Sequence, residues 1–338
     1  MKEGLLFIDS HHHLSDTKNN SFQTFLRSLL PSDDIYLPEH YERDVVIPLL
    51  NEGVKFVGSI HVECLPDNGF EEAQWIEKMT STTILAIVAS CNLAHPKLEE
   101  KLEKLKHTCP KVRGIRWILD CVGKFDGESA THPSTLRHDG IDYLRGSEGG
   151  YNGEVVAEFE RGFCLLEKYE LSFDLQCAPV QLEQAASLVA RYPRIRVCIN
   201  HLGKPRSLCA QNHPGKPELN VNELLVWREG MKRMATFPNC YVKISMLGYA
   251  IPGWIKDEKK VSLMRGLVLE TVALFTPKRC MVATNWWRNA ESSDADGHSD
   301  TGPSPYQLLS ILYDFFENYS EEDKYNLFCG TAKEFYGV

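Results

Sequence analysis

The sequence contains no uninterrupted apolar run approaching the roughly 18 residues of a membrane-spanning helix. Its first apolar stretch is broken almost at once by Asp9 and three histidines. That pattern excludes a membrane-spanning class, and without a basic segment and a long apolar segment it predicts no secretory leader. There is no basic stripe either. Lys and Arg number 37 against 46 Asp and Glu, for a formal net charge of −9. This balance speaks against nucleic acid and anionic membrane surfaces as partners. The 11 cysteines include no C-x-x-C pair, and their number is odd. They are expected to be reduced thiols used as small apolar side chains in a cytoplasmic protein. No G-x-G-x-x-G follows the first apolar run, so the dinucleotide fingerprint is missing and no organic cofactor is expected. Low-complexity tracts, short repeats and linkers are also absent, and residues 1–338 are expected to form a single domain.

What is present is an alternation of two patterns. Short runs rich in Val and Ile, apolar on both faces, occupy residues 5–9, 54–62, 84–91, 112–119, 172–177, 196–200, 240–245 and 279–284. Such runs read as parallel strands covered on both sides. Stretches with helical spacing follow at 71–79, 96–107, 155–169, 179–192, 221–237, 261–275 and 306–319. Eight strands alternating with helices predict a (β/α)8 barrel of the TIM type, with an open doubly wound sheet as the alternative. The long excursions 120–153 and 203–220 each follow a strand. In a barrel they belong to the C-terminal rim, where active sites are built.

That architecture directs attention to the last residue of each strand. The first run leads into Ile8-Asp9-Ser10-His11-His12-His13. In extended chain, alternate residues share a face, so His11 and His13 are expected to converge while His12 points toward the helices. The triplet is embedded between a strand and continuing chain, which argues against a purification-tag remnant. After the second run stand His61 and Glu63, and the fourth carries Arg116. Arg116 points into the mouth if Ile115 faces the helices, and a guanidinium there suits capture of a carboxylate or carbonyl. The fifth run ends at Asp174 and Gln176, the sixth at Asn200-His201, the seventh holds Lys243 and Ser245, and the eighth ends at Asn285-Trp286-Trp287.

This ordered set resembles the amidohydrolase superfamily, and within it the amidohydrolase-2 group of lactonase-like hydrolases. The segments that carry the resemblance are the triplet, Val112-Arg113-Gly114-Ile115-Arg116, Ser172-Phe173-Asp174-Leu175-Gln176, Asn200-His201-Leu202-Gly203-Lys204-Pro205, Val242-Lys243-Ile244-Ser245, the eighth run, and the tail from Leu327 to Tyr336. The resemblance implies a distorted barrel that hydrolyses a small cyclic ester. It implies that His11, His13 and His201 gather at the substrate carbonyl or hold one divalent metal, such as zinc. Arg116 would bind a substrate carboxylate. From their places at the strand ends, Gln176, His61, Lys243 and Trp286 are expected to line the pocket. Gln176 stands where metal-dependent relatives carry histidine, and some lactonases of the group work without metal.

Position 285 departs from the pattern. Many relatives carry aspartate there to orient or deprotonate the attacking water, whereas this chain has Asn285. An amide does not accept a proton at neutral pH, though it can hydrogen-bond a water. The base is therefore sought first at Glu63, second at His61, and then at Asp294 or Asp296 of the polar loop 292–302. Trp286 and Trp287 suggest an aromatic wall or simple rim packing. The loop 120–153, with Lys124, Arg137, His138 and Arg145, is expected to shape the choice of substrate. A metal-dependent decarboxylase and a barrel that binds a small molecule without turnover are the alternatives. Homo-oligomerisation is left open.

Overall fold

The computed structural model describes residues 3–30, 33–81, 83–120, 141–144, 153–205, 208–210, 218–286 and 303–338. The barrel strands are β1 (Leu6–His12), β2 (Lys55–Val62), β3 (Ile84–Ser90), β4 (Val112–Ile118), β5 (Ser172–Gln176), β6 (Val197–Ile199), β7 (Cys240–Ile244) and β8 (Cys280–Val282). They lie in one eight-stranded sheet in sequential order, and every pairing is parallel. A helix follows each strand: α1 (Ile47–Asn51), α2 (Gly69–Glu77), α3 (Leu98–Thr108), α4 (Gly153–Lys168), α5 (Leu182–Arg191), α6 (Val221–Ala235), α7 (Glu258–Phe275) and α8 (Pro305–Phe315). A last helix, α9 (Thr331–Tyr336), ends the chain described. This is the (β/α)8 barrel that the alternation predicts, and all eight strands fall on the expected runs.

Two layers of apolar contact follow from the period-2 alternation of the strands. Phe7, Ile87, Ala89, Ile115, Phe173, Leu175, Val242 and Val282 face outward into the helix layer. Ile8, Ile60, Val62, Ala86, Val88, Cys198 and Met281 fill the barrel interior, where Phe335 and Tyr336 of α9 join them. Tyr241, next to the start of β7, meets the Phe335 ring at 4.8 Å, and Arg196, just before β6, donates to the Glu334 carbonyl at 3.0 Å. Both contacts lie at the N-terminal ends of strands, so α9 closes the bottom of the barrel.

Two local features differ from the periodic reading. The chain between β1 and β2 is helical from Pro38 to Asn51, with a π turn at Glu42–Val46. Pro48 hides this helix in the sequence, because proline lacks the N–H that continues a regular ladder. The π turn, with the Ile47 N–H bonded to the Glu42 carbonyl, lies directly before it. The second feature is in β1, which runs on to His12. Its register against β2 shifts between Asp9 and His12, so Asp9 faces Ser59 and His12 faces His61. One extra residue is accommodated there, as in a bulge. Strict alternation from the inward-facing Ile8 would place His12 inside the barrel. The bulge reverses the parity and turns His11 and His13 inward.

The seam between β8 and β1 is closed by side chains and irregular bonds. Asp9 accepts from Tyr41 Oη at 2.7 Å, from the Thr284 N–H at 2.9 Å, and from the Thr284 hydroxyl. Ser10 Oγ donates to the Val282 carbonyl at 3.1 Å, and the Asn285 N–H donates to the His11 carbonyl at 2.9 Å. The triplet region thus joins the first strand to the last.

Candidate active site

Backbone strain marks one end of the barrel. Eight non-glycine residues among those described have positive φ, and six of them follow strands on the C-terminal side: Leu65, His201, Leu202, Lys204, Met246 and Asn285. Such conformations cost on the order of 1 kcal/mol or more each and persist where the surroundings impose them, often at functional sites. The run after β6 is the most extreme, since Gly203 also has φ +73°, making four consecutive left-handed residues. A Cβ on Gly203 would stand 2.7 Å from Met231 Sδ, so glycine is favoured at this one position of the turn. The turn carries both His201 and Lys204 to the rim.

At that rim three imidazoles meet. The His11 ring centroid lies 4.9 Å from that of His13 and 4.8 Å from that of His201. All three are buried. Burial is the first cause lowering each of their pKa values. The second cause is Lys243 for His11 and Arg116 for His13 and His201. For His13 the value falls to about 3. At neutral pH the three rings are therefore uncharged.

Three buried ion pairs surround them. Arg116 Nε donates to Glu63 Oε1 at 2.8 Å and Nη2 to the Glu63 carbonyl at 2.5 Å. Its Nη1 donates to Gln176 Oε1 at 3.1 Å and lies 3.4 Å from His11 Nε2. Lys243 bonds Asp174, and Lys204 bonds Asp120, which also accepts from Gln176 Nε2 at 3.3 Å. Each cation has its own carboxylate, which offsets the cost of taking both charges out of water.

The neighbours of each imidazole bear on its polarity. His13 Nδ1 faces the Val62 carbonyl at 2.8 Å, so that nitrogen carries the proton and Nε2 offers a lone pair. His11 lies between two cations: its Nδ1 is 3.4 Å from the Lys243 ammonium and its Nε2 is 3.4 Å from Arg116 Nη1, both pure donors. His201 Nδ1 is within 3.0 Å of the Ser245 hydroxyl.

Not every expected residue joins this group. His61 is turned outward, because its neighbours Ile60 and Val62 occupy the interior. It sits 5.7 Å from the His12 ring and 3.9 Å from Glu72, and its expected place at the mouth is corrected by that alternation. His12 also faces outward, as expected, and stacks on Tyr41 with centroids 4.3 Å apart. Trp286 packs on the outer core, with its indole beside the Tyr36 hydroxyl, and is not part of the histidine group. Glu63 is at the site, yet its Oε1 accepts from Arg116 and its Oε2 from the Leu65 N–H at 3.0 Å. A carboxylate engaged on both oxygens is poorly placed to receive a proton from water. Asn285 bonds Met246 Sδ at 3.0 Å through its amide nitrogen, while its buried Oδ1 has no hydrogen-bond partner. Lys124, Arg137, His138, Arg145, Trp287, Asp294 and Asp296 lie outside the described residues.

The site also holds residues that spacing alone did not single out: Asp120 and Lys204. Asp174 and Lys243 carry the signal that was available. Two opposite charges in the middle of otherwise apolar strands must find each other to be buried.

The amidohydrolase family model matches residues 113–338. The chain belongs to the amidohydrolase family. Protein y4mH of Sinorhizobium fredii is 24% identical over 295 residues, covering 83% of this chain and 85% of its own length. Among solved structures, a Burkholderia multivorans amidohydrolase with bound HEPES superposes with a TM-score of 0.71 at 20% identity, covering 98% of this chain and 99% of that one. A second crystal form of a Burkholderia multivorans amidohydrolase, with bound zinc, gives 0.70 at 21% identity over 98% and 99% of the two chains. A Pseudomonas putida protein named as a candidate 2-pyrone-4,6-dicarboxylic acid hydrolase gives 0.61 at 15% identity, with 98% of each chain covered.

A divalent metal in such a fold needs lone pairs on its ligating imidazoles and an acceptor for the opposite N–H of each. His13 meets that requirement. His11 does not, because one ring nitrogen faces an ammonium and the other a guanidinium, each at 3.4 Å. The strand-5 position offers Gln176, whose oxygen is taken by Arg116, and the strand-8 position offers an amide. Among the described residues no three or more His, Cys, Asp or Glu side chains are grouped to hold a metal. A divalent cation at this rim would need His11 and Gln176 to turn from Lys243 and Arg116.

Proposed function

We propose that this amidohydrolase opens a small anionic lactone by attack of water on the ring carbonyl, without a metal. The observation that supports this reading is the group of three neutral imidazoles, His11, His13 and His201, packed beside the buried Arg116 and Lys243 cations. Fixed positive charge at a buried site suits an oxygen that becomes negative in the transition state, and charge stabilisation of that kind is commonly the largest single term in acyl transfer. Arg116 adds a full positive charge, which favours a substrate carrying a carboxylate.

The water is positioned from the other side. His13 Nε2 accepts one of its hydrogens, and the unpartnered Oδ1 of Asn285 accepts the other. His13 is a weak base when the pocket is empty, since burial and Arg116 both disfavour its charged form. An anionic substrate paired with Arg116 reverses the second of those effects and raises the basicity of His13 as the reaction begins. The proton passes to the ring oxygen as the carbonyl–oxygen bond breaks, releasing a hydroxy acid. His201, anchored on Ser245, packs against His11 and helps hold its ring in place.

The sulfonate buffer in the Burkholderia structure and the dicarboxylic acid in the name of the Pseudomonas protein are both anionic, in keeping with this choice of substrate class. The decarboxylase alternative needs a firmly held divalent cation, which the engagement of His11 by Lys243 and Arg116 does not favour. The test is a pH-indicator assay over a panel of carboxylated and sugar lactones. Wild-type protein is expected to open at least one of them. His201→Ala is expected to abolish turnover with the native circular-dichroism spectrum retained. Unchanged turnover in that variant would remove the assignment.

A further inference from the structure

The bulge in β1 is gripped on both sides by one residue from outside the barrel. Between Asp9, opposite Ser59, and His12, opposite His61, β1 has two residues where β2 has one. Tyr41 is buried and closes the helical turn Pro38–Tyr41, just before the π turn. Its hydroxyl donates to Asp9 Oδ2 at 2.7 Å and lies beside the Ser59 hydroxyl, at the last regular pair before the bulge. Its ring stacks on His12, the first residue paired after the bulge, with centroids 4.3 Å apart and planes 28° apart. Asp9 carries the grip into the bulge itself, because its Oδ1 accepts the His11 N–H at 3.4 Å. Both ring nitrogens of His12 are buried without a hydrogen-bond partner, so packing against Tyr41 and His61 holds that side chain.

We propose that Tyr41 is a positioning residue that locks the β1 bulge and so selects His11 and His13, rather than His12, as the histidines that face the barrel mouth. A strand slipped by one residue exchanges its two faces. In β1 the slip that removes the bulge carries His12 to the interior and His11 and His13 to the helix layer. Tyr41 opposes that slip at two points. Its hydroxyl fixes Asp9 on the N-terminal side of the bulge, and its ring fixes His12 on the C-terminal side. Burial and the Asp9 charge both raise the Tyr41 pKa, so the hydroxyl remains a donor across the working range. Bulges are over-represented next to active sites, where they re-aim a side chain. The catalytic consequence rests on the proposed reaction, whereas the choice of inward histidines is a property of the free protein.

Tyr41→Leu removes both contacts, and Tyr41→Phe removes only the hydroxyl. Phe56→Leu serves as a packing control, since the Phe56 ring centre lies 6.3 Å from that of Tyr41 and 6.2 Å from that of Phe7. NMR of histidine-labelled wild-type protein should show ring-to-ring cross-relaxation between His11 and His201, whose centroids are 4.8 Å apart. Tyr41→Leu should lose that signal. Phe56→Leu should lower the melting temperature and keep it. In Tyr41→Phe the stack survives, and the His11 amide should exchange with deuterium about tenfold faster while amides in β5 are unchanged. A folded Tyr41→Leu with the wild-type His11–His201 signal would overturn the proposal. Should that variant not fold, an unchanged His11 exchange rate in Tyr41→Phe would overturn it instead. Because neither readout needs substrate, a failed lactone panel would remove the proposed reaction and leave this test intact.

Discussion

Arg116 Nε donates to Glu63 Oε1 at 2.8 Å inside the site, and Arg116 Nη2 donates to the carbonyl of the same residue. The carboxylate most suited by position to act as a base is thereby committed to holding a guanidinium. Glu63→Gln preserves the shape but leaves the buried Arg116 charge uncompensated, so stability should fall by about 3–5 kcal/mol in chemical denaturation. Folded variant should keep kcat within about tenfold of wild type, because removing a true general base costs roughly 10²–10⁴. A loss in the larger range would restore Glu63 as the base.

Arg116 itself should not tolerate lysine. A lysine ammonium cannot reach Glu63, Gln176 and a substrate oxygen together, since these need separate donors of a planar fork. Arg116→Lys should lower kcat/KM by roughly 10²-fold or more. The loss should be smaller for an uncharged lactone than for a carboxylated one, which steady-state kinetics on matched substrates would reveal.

Five buried histidines among the described residues give the fold a defined response to acid. His11, His12 and His201 are held well below the ordinary value of 6.5, and His13 and His61 fall to about 3, with burial the leading cause in each. A depressed folded pKa means that the unfolded chain binds more protons over the interval between the two values. Stability is therefore fully present above about pH 6.5 and is lost as pH falls toward 3. Asp9, raised by burial, acts in the opposite sense, but it is one group against five. His12→Phe keeps the stack on Tyr41 and removes one titrating ring. The slope of unfolding free energy against pH between 6 and 4 should drop by about 1.4 kcal/mol per unit. Urea titrations across that range measure it, and an unchanged slope would show that His12 already titrates normally.

The seam should be the weak point of the barrel wall. Asp9 accepts from Tyr41 and twice from Thr284, bonds that a neutral amide satisfies only in part. Asp9→Asn should destabilise by about 1–3 kcal/mol. Hydrogen exchange should locate the loss, with the Asn285 amide, bonded to the His11 carbonyl, exchanging faster than amides in β4 and β5.

Much of this was legible in the sequence because strands and helices announce themselves by periodicity. All eight strand runs and the helices after β2 through β8 follow from it. The inward aim of Arg116 followed from the outward aim of Ile115. What periodicity could not carry were its local exceptions. The bulge in β1 is one extra residue, invisible as composition, yet it decides which histidines of the triplet enter the site. His61 stands at a strand end, where mouth residues are expected, but the alternation of Ile60, His61 and Val62 turns it toward the helices. The helix before β2 was hidden by Pro48. The bond between Tyr336 and Asp174 spans 162 residues, and no local pattern announces it.

The most direct measurement of the central claim is turnover of an anionic lactone by protein stripped with a chelator and shown by elemental analysis to be free of stoichiometric metal. If the buried charge of Arg116 beside the imidazoles provides the electrophilic site, the stripped protein should turn over at the untreated rate, and added zinc should not increase it. Turnover lost with the metal and restored by zinc would contradict the account.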